Sequence, residues 1–155
     1  MEMLQFLPNP DFMRKALLLA EEAAAQGEIP VGAVIVKNGK IIAQGRNRRE
    51  TEHNALLHAE IEAIGEACKV LKSWRLSGCT LYVTLEPCPM CTGAIINARV
   101  ERVVFGAYDS KAGSCGSVVN LFSFPYNHKP EVWGGILEEP CVEILQRFFE
   151  GLRQK

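Results

Sequence analysis

The segment TLYVTLEPCPMC, residues 80–91, decides how this chain is expected to fold. Its first half, Thr80 to Leu85, is rich in β-branched, aromatic and aliphatic side chains and therefore predicts a strand. Pro89 comes directly after Cys88 and suits the first position of a helix. Cys88 and Cys91 are three residues apart at that predicted helix start, so both side chains project from one face. The segment thus predicts a strand-to-helix connection that presents two thiol groups together.

A second motif, His58-Ala59-Glu60, lies upstream at the start of the preceding predicted helix. The helix–strand–helix order can bring both helix starts to one end of the sheet, where open α/β sheets place their sites. The positive end of a helix dipole lowers the pKa of a thiol and favours the thiolates that zinc requires. One imidazole and two thiolates leave the fourth position of a tetrahedral zinc ion to water, as in catalytic sites. His58, Cys88 and Cys91 are therefore the predicted zinc ligands.

Glu60 is predicted to carry protons rather than to bind the metal. Water on a zinc ion ionises near neutral pH. A carboxylate beside that water can act as general base, and then as general acid toward a leaving amine. The alternative role of Glu60 is favourable charge in the first turn of a helix, worth about 0.3–1 kcal/mol.

Three simpler interpretations compete for these residues. Cys88 and Cys91 could form a redox pair, which also lies at a helix start. They could instead be half of a structural zinc site that His53 or another cysteine closes with a fourth ligand. A single histidine is also more often an ordinary polar residue than a ligand. The joint pattern favours catalytic zinc, because neither cysteine alternative requires Glu60 beside His58.

Length and composition predict one globular domain spanning residues 1–155. Hydrophobic residues make up 48% of the chain and charged residues 23%, which is ordinary for a globular protein. The apolar runs are too short to cross a bilayer, so we expect no membrane partner. Met1 to Pro10 lacks the basic start and apolar stretch of a secretory signal, so we expect a cytoplasmic protein.

The six cysteines do not predict a disulfide framework. The chain is large enough to build a core without covalent cross-links, and we expect no secretion into an oxidising compartment. Free cysteine is often buried as a small apolar residue. Cys68, Cys79 and Cys141 are therefore expected in the core.

The remaining pattern alternates helices and strands. Asn9-Pro10 predicts a helix start, and Gly27 ends its apolar periodicity. Asn38-Gly39 predicts a tight hairpin between two strands. The predicted strands are 31–37, 40–45, 80–85, 102–107 and a short edge strand at 131–134; the predicted helices begin near 10, 58, 89 and 138, and 110–117 is a shaped loop. This order predicts an α/β domain with helices on both faces of a sheet, and the hairpin makes that sheet mixed.

Together, the two motifs resemble the signature of the cytidine-deaminase-like zinc deaminases. Within that superfamily the chain resembles the bacterial tRNA-specific adenosine deaminases over nearly its whole length. Matching segments are GEIPVGA (27–33), GRNRRE (45–50), TLEPCPMC (84–91) and VVFGA (103–107), with NH at 127–128 and FF at 148–149. The chain departs from the family at Ala55-Leu56-Leu57, which changes the loop that leads into His58.

This resemblance implies a three-layer α/β/α cytidine-deaminase-like fold with a five-stranded mixed sheet, working as a homodimer. It implies hydrolytic deamination of the wobble adenosine of an arginine tRNA anticodon to inosine, with one zinc ion per subunit. Zinc-activated water would attack C6 of adenine while Glu60 moves protons to N1 and to the departing ammonia. The partner would be the tRNA anticodon stem-loop, whose unpaired bases need less energy to extrude than bases in a duplex.

The resemblance also implies substrate contacts. Asn47 offers both a donor and an acceptor, which suits an adenine edge. Asp109 would line the cleft, although a turn residue at a strand end is the alternative. His128 is either a nucleotide contact or a polar loop residue, and Ile29 and Val31 either pack against the purine or belong to the core. The full set of expected substrate contacts is Asn47, Ala59, Asp109, Ile29, Val31 and His128.

Two other functions remain open at this point. The same chemistry could act on free cytidine, cytosine or guanine, which requires a small closed pocket and no RNA surface. A zinc module that only binds a partner is the non-enzymatic alternative, and it predicts a closed four-ligand site. The net charge of −1 does not indicate nucleic-acid binding. The cluster Arg46, Arg48 and Arg49 and the family match beyond Asp109 nevertheless favour RNA, although such a cluster can also be a solvated loop.

Overall fold

The computed structural model describes residues 5–154, in which four helices surround a five-stranded sheet. Residues 1–4 and 155 lie outside the described residues. They include both ends of the expected 1–155 domain and the first residues of the segment in which we expect no secretory signal. The helices are α1 (Pro10–Ala25), α2 (Ala59–Leu71), α3 (Pro89–Ala98) and α4 (Glu138–Arg153); the strands are β1 (Gly32–Lys37), β2 (Lys40–Arg46), β3 (Cys79–Leu85), β4 (Arg102–Ala107) and β5 (Glu131–Trp133).

The strands follow the order β2-β1-β3-β4-β5. β1 is antiparallel to both β2 and β3, whereas β3, β4 and β5 run parallel. Asn38 and Gly39 both have positive φ, at 52° and 75°, which is the backbone of the tight turn that this dipeptide predicts. The β1–β2 ladder contains a bulge, since Ile35 pairs with Ala43 and Val36 with Ile41. The sheet is therefore mixed, as the sequence predicted.

Two hydrophobic cores lie on opposite faces of this sheet. Ile35 and Leu81 contribute to the core under α2 and α3. Val34 and Tyr82, their neighbours along the strands, contribute to the core under α1 and α4. Side chains alternate between the faces of a strand, so an apolar strand can build both layers at once. The arrangement confirms the predicted three-layer α/β/α fold.

The first turns of α2 and α3 are set by what precedes them. His58 and Cys88 occupy the N-cap positions of these helices in an extended backbone, and neither side chain makes a capping hydrogen bond. Pro89 fills the first helical position of α3, where its missing N–H costs nothing. Both side chains are thus free for another role at the positive end of a helix dipole.

Most predicted elements are confirmed, with small shifts at their ends. β1 begins at Gly32 rather than at Val31, whose carbonyl oxygen accepts a hydrogen bond from the Asn47 N–H instead. The sequence did not predict the short 3-10 turn Leu121–Ser123. None of the helices in residues 5–154 has both the length and the apolar composition needed to cross a membrane.

The prediction that three cysteines lie in the core is confirmed for two of them. Cys79 and Cys141 are fully buried, as expected. Cys68 is only half-buried and packs against the border of the core under α2 and α3, so the prediction holds for it only in part. Its sulfur lies 3.8 Å from the carbonyl oxygen of Trp74, which follows α2. All six cysteines lie within the described residues and are free thiols.

Glycine at position 45 allows β2 to lie directly on α2. A Cβ there would lie 2.3 Å from the carbonyl oxygen of Ala59 and 2.7 Å from the amide nitrogen of Ala63. Both atoms belong to helix backbone and cannot rotate away. The close contact fixes the first turn of α2 against the sheet.

We expect Gly45→Ala to lower the free energy of unfolding by about 1–3 kcal/mol, because the added methyl group overpacks this contact. Urea titration would measure the change. Gly65→Ala is the matched control, since Gly65 is exposed on α2 and its new Cβ would meet no atom within 4 Å. That variant should gain about 0.5–1 kcal/mol from helix propensity. A Gly45→Ala protein as stable as the wild type would contradict the close packing.

Candidate active site

His58, Cys88 and Cys91 form a cluster where the first turns of α2 and α3 meet. The Nδ1 atom of His58 lies 3.6 Å from each of the two sulfur atoms. The three ligand atoms all lie within 4.8 Å of one another. A tetrahedral zinc ion with ordinary bond lengths holds a nitrogen and a sulfur ligand about 3.6 Å apart. The donor set and its spacing therefore fit a zinc ion.

The two thiol groups lie close enough to share a proton. A hydrogen bond from the Cys91 thiol lowers the pKa of Cys88 to about 4. The same hydrogen bond, together with burial, raises the pKa of Cys91 well above its usual range. A second thiolate beside the first would add a like charge in a buried place. A divalent cation bound by both sulfurs would offset that repulsion.

Glu60 lies in the first turn of α2, beside the cluster. Its side chain is 3% exposed, and burial raises the pKa of this carboxyl to about 7. A group that titrates near neutral pH can both accept and donate a proton under ordinary conditions. Its position and pKa suit an acid–base role next to the cluster.

No fourth protein ligand joins the cluster among residues 5–154. His53, the histidine considered for that role, is exposed on the loop before α2. Cys115 lies 3.6 Å from the Thr92 hydroxyl oxygen, and burial raises the pKa of its thiol to about 12. A closed structural zinc site is therefore not formed by these side chains.

An open cavity adjoins the cluster and encloses about 630 Å³ together with its mouth. It brings together most of the residues expected from the sequence. Its lining consists of Ile29, Val31, Asn47, Arg49, His58, Ala59, Glu60, Leu85, Glu86, Cys88, Asp109 and Ala112. The mixture of apolar side chains and polar groups in this lining suits a flat, hydrogen-bonding ligand.

His128 is not among the residues that line this cavity. Its Nε2 atom lies 2.6 Å from the carbonyl oxygen of Val100, just before β4. The cavity lies beyond the opposite end of that strand, at Asp109. Within this chain, His128 therefore has the position of a loop residue rather than of a cavity contact.

Asn47 ties together the wall that carries it. Its Nδ2 atom donates to the Ile29 carbonyl oxygen at 3.2 Å, and its Oδ1 atom accepts from the Arg49 N–H at 3.1 Å. Glu28, which is buried behind this wall, accepts hydrogen bonds from the Glu50 N–H and from both the N–H and the hydroxyl group of Thr51. The segment after β2 is thus held to the segment before β1 by the side chains of Asn47 and Glu28.

Glu86 holds the opposite wall in a similar way. Its carboxylate accepts from the N–H groups of Asp109, Cys115 and Ser117 and from the Ser117 hydroxyl group. Burial opposes ionisation, but these hydrogen bonds, led by that of the Ser117 hydroxyl, keep the pKa of Glu86 below its usual value. A Cβ on Gly113 would lie 2.4 Å from the Glu86 carboxyl carbon, so the loop can close over the carboxylate only with glycine there.

The sequence analysis gave Glu28 and Glu86 no role of their own. Each stands in a segment that matched the family, and each is an acidic residue next to a strand or a Pro-Cys motif. An acidic residue in such an apolar context could have indicated a buried carboxylate with several donors. The donors themselves come from distant parts of the chain, and no local pattern identifies them.

Comparisons with known proteins agree with this geometry. The family model of the MafB19-like deaminases matches residues 9–153. The tRNA-specific adenosine deaminase of Bacillus subtilis (strain 168) is 53% identical over 145 residues, covering 93% of this chain and 90% of that protein.

Solved structures give the same result. One from studies of A-to-I editing by tRNA:A34 deaminases at the wobble position has a TM-score of 0.86 and 44% identity, covering 88% of this chain and all of that one. The guanine deaminase of Bacillus subtilis has a TM-score of 0.64 and 43% identity, covering 76% of this chain and 74% of that one. By sequence and by structure, the chain belongs to the MafB19-like deaminases and, among them, to the family of tRNA-specific adenosine deaminases.

Proposed function

We propose that this protein deaminates the wobble adenosine of a tRNA anticodon to inosine, with an arginine tRNA as the expected substrate. The observation that carries the proposal is the three-ligand cluster beside an open cavity that two of its ligands, His58 and Cys88, line together with Glu60. The 53% identity to a tRNA-specific adenosine deaminase supports the choice of substrate. Such a reaction belongs to the cytoplasm, where tRNA is used, and the homodimer expected from the family resemblance is part of the same proposal.

His58, Cys88 and Cys91 would hold one zinc ion per subunit. When bound, zinc would make a water molecule acidic enough to act as a nucleophile near neutral pH. The three residues are expected to supply one neutral and two anionic donors. The described chain offers no fourth protein ligand, and a catalytic zinc site does not require one.

Glu60 would transfer the protons of the reaction. Its carboxylate takes a proton from the water as oxygen bonds to C6 of adenine, and passes it to N1. The carboxylate then moves the proton of the new C6 hydroxyl group to the amino group, so that the C6–N bond breaks, ammonia leaves and the C6 carbonyl of inosine forms. The raised pKa, about 7, keeps both steps accessible near neutral pH.

Five lining residues would position the base. One N–H and one oxygen lone pair of the Asn47 amide already form hydrogen bonds within the protein. The second N–H and the second lone pair would bind an adenine edge. Backbone groups near Ala59 would hold the base, while Asp109 closes the cavity on the opposite side. The side chains of Ile29 and Val31 would pack against the purine ring.

Anticodon stem-loops that differ only at the wobble base would test the substrate. We expect inosine from the stem-loop with adenosine, no deamination of the one with cytidine, and no turnover of free cytidine, cytosine or guanine. The readout is nuclease digestion followed by nucleoside chromatography. Guanine deamination is the second candidate, which the similarity to a guanine deaminase favours. Turnover of free guanine without reaction on the RNA would replace the proposed function with that one.

We expect Glu60→Gln to lower the rate of inosine formation by about 10²–10⁴-fold, because the amide can no longer accept and return a proton. The zinc content, measured by elemental analysis, should stay near that of the wild type, since Glu60 is not part of the ligand cluster. A Glu60→Gln protein with a near-normal rate would remove the acid–base role.

We expect Cys91→Ala to lose most of its bound zinc and its activity, because two ligands hold a zinc ion far less tightly than three. Cys68→Ser is the matched control, since Cys68 is a free, half-buried thiol outside the cluster. That control should keep both zinc and activity. Full zinc occupancy in purified Cys91→Ala would contradict the assigned ligand set.

A further inference from the structure

The three arginines after β2 have different surroundings. Arg46 donates to the Glu22 carbonyl oxygen at 3.3 Å. Arg48 forms an ion pair with Glu62 on α2, with 2.9 Å between nitrogen and oxygen. Both guanidinium groups thus contact acceptors within the chain and do not line the cavity.

Arg49 lines the cavity, and its side chain is 42% exposed. It forms an ion pair with the exposed carboxylate of Glu50, at 4.0 Å, which is weak in solvent. Its charge also acts on the buried carboxylate of Glu28, with which it forms no ion pair. Among the described lining residues, Arg49 is the one that carries a guanidinium or ammonium group. The carboxylates in the lining belong to Glu60, Glu86 and Asp109. A phosphate near the mouth would therefore be attracted to Arg49 and repelled by its neighbours.

The backbone of Arg49 is fixed on both sides. Its N–H donates to Asn47 Oδ1 at 3.1 Å, and its carbonyl oxygen accepts from the Asn54 N–H at 3.0 Å. The next two residues donate three hydrogen bonds to the buried carboxylate of Glu28. The side chain is 42% exposed while its attachment point is thus held, which reduces the entropy lost on binding.

We propose that Arg49 binds a backbone phosphate of the RNA next to the deaminated nucleoside, and that Glu28 positions the loop that carries Arg49. The planar guanidinium group matches phosphate oxygens with two parallel hydrogen bonds. The inference rests on the proposed function, since a free nucleoside or base brings no phosphate to the mouth. It assigns to the loop a contact with the RNA backbone in addition to the base contact of Asn47.

The test is the salt dependence of binding to a fluorescent anticodon stem-loop with adenosine at the wobble position. All proteins are zinc-loaded and carry Glu60→Gln, so the RNA is not converted. With Arg49→Gln added, we expect the dissociation constant to rise about tenfold at the lowest salt concentration. Between about 50 and about 200 mM salt, the slope of log K against log[salt] should become shallower by about 0.7–0.9, the loss of one phosphate contact.

Arg14→Gln and Arg48→Gln are the controls, because each removes the same charge from an arginine that is paired with an acid outside the cavity. Both should keep the slope of the reference protein. An equal decrease of the salt slope in all three variants would mean that RNA binding depends only on the net charge of the protein. That result would overturn the proposed contact between Arg49 and a phosphate.

Thr51→Val tests the positioning by Glu28. It removes one of the three donors to the carboxylate and keeps the shape of the side chain and both backbone N–H groups. We expect weaker RNA binding with an unchanged salt slope, faster hydrogen exchange at residues 49–51, and rescue of both by Thr51→Ser. Glu28→Gln should show the same changes more strongly. Normal RNA binding by a folded Thr51→Val protein with faster exchange would overturn the positioning role.

The outcomes separate this inference from the proposed function. If the reference protein does not bind the stem-loop at all, the proposed function fails. If it binds and Arg49→Gln keeps the same slope, only the phosphate contact fails. If Arg49→Gln loses zinc while its RNA affinity is unchanged, Arg49 balances the acidic groups of the site, and the inference is wrong.

Discussion

The meeting of two helix starts is the constraint on which the rest of this molecule depends. α2 and α3 both begin where one face of the sheet ends, and their N-cap residues supply His58 and Cys88. The contact between Gly45 and the backbone of α2 sets the distance of α2 from the sheet. The short connection from β3 sets the position of the start of α3. Because the two starts coincide, three ligand atoms come within 4.8 Å of one another. The ligand cluster follows from helix placement.

Two buried carboxylates hold the loops around the cavity in place, as helix packing holds the three ligand residues. Glu28 collects donors from the segment after β2, and Glu86 collects donors from the segment after β4. A buried carboxylate is tolerated only when donors surround it, so each of them fixes the backbone of a loop that has no regular structure. The two walls of the cavity therefore stand on opposite sides of the cluster in defined positions.

Much of this was predictable from the sequence, because the decisive patterns are local. The strand before Cys88, the proline after it and the Asn38-Gly39 turn each specify backbone within a few residues, and the structure follows them. The partners of Glu28 and Glu86 could not be predicted, since those hydrogen bonds join segments more than twenty residues apart. The different surroundings of Arg48 and Arg49 depend in the same way on which side chains tertiary packing brings near.

The two edges of the sheet limit how copies of this protein can associate. β5 pairs with β4 at only three positions, and the bulge in the β1–β2 ladder distorts the other border. Short or bulged border strands are poor templates for strand addition by another molecule. Growth of the sheet by strand addition is therefore discouraged at both borders.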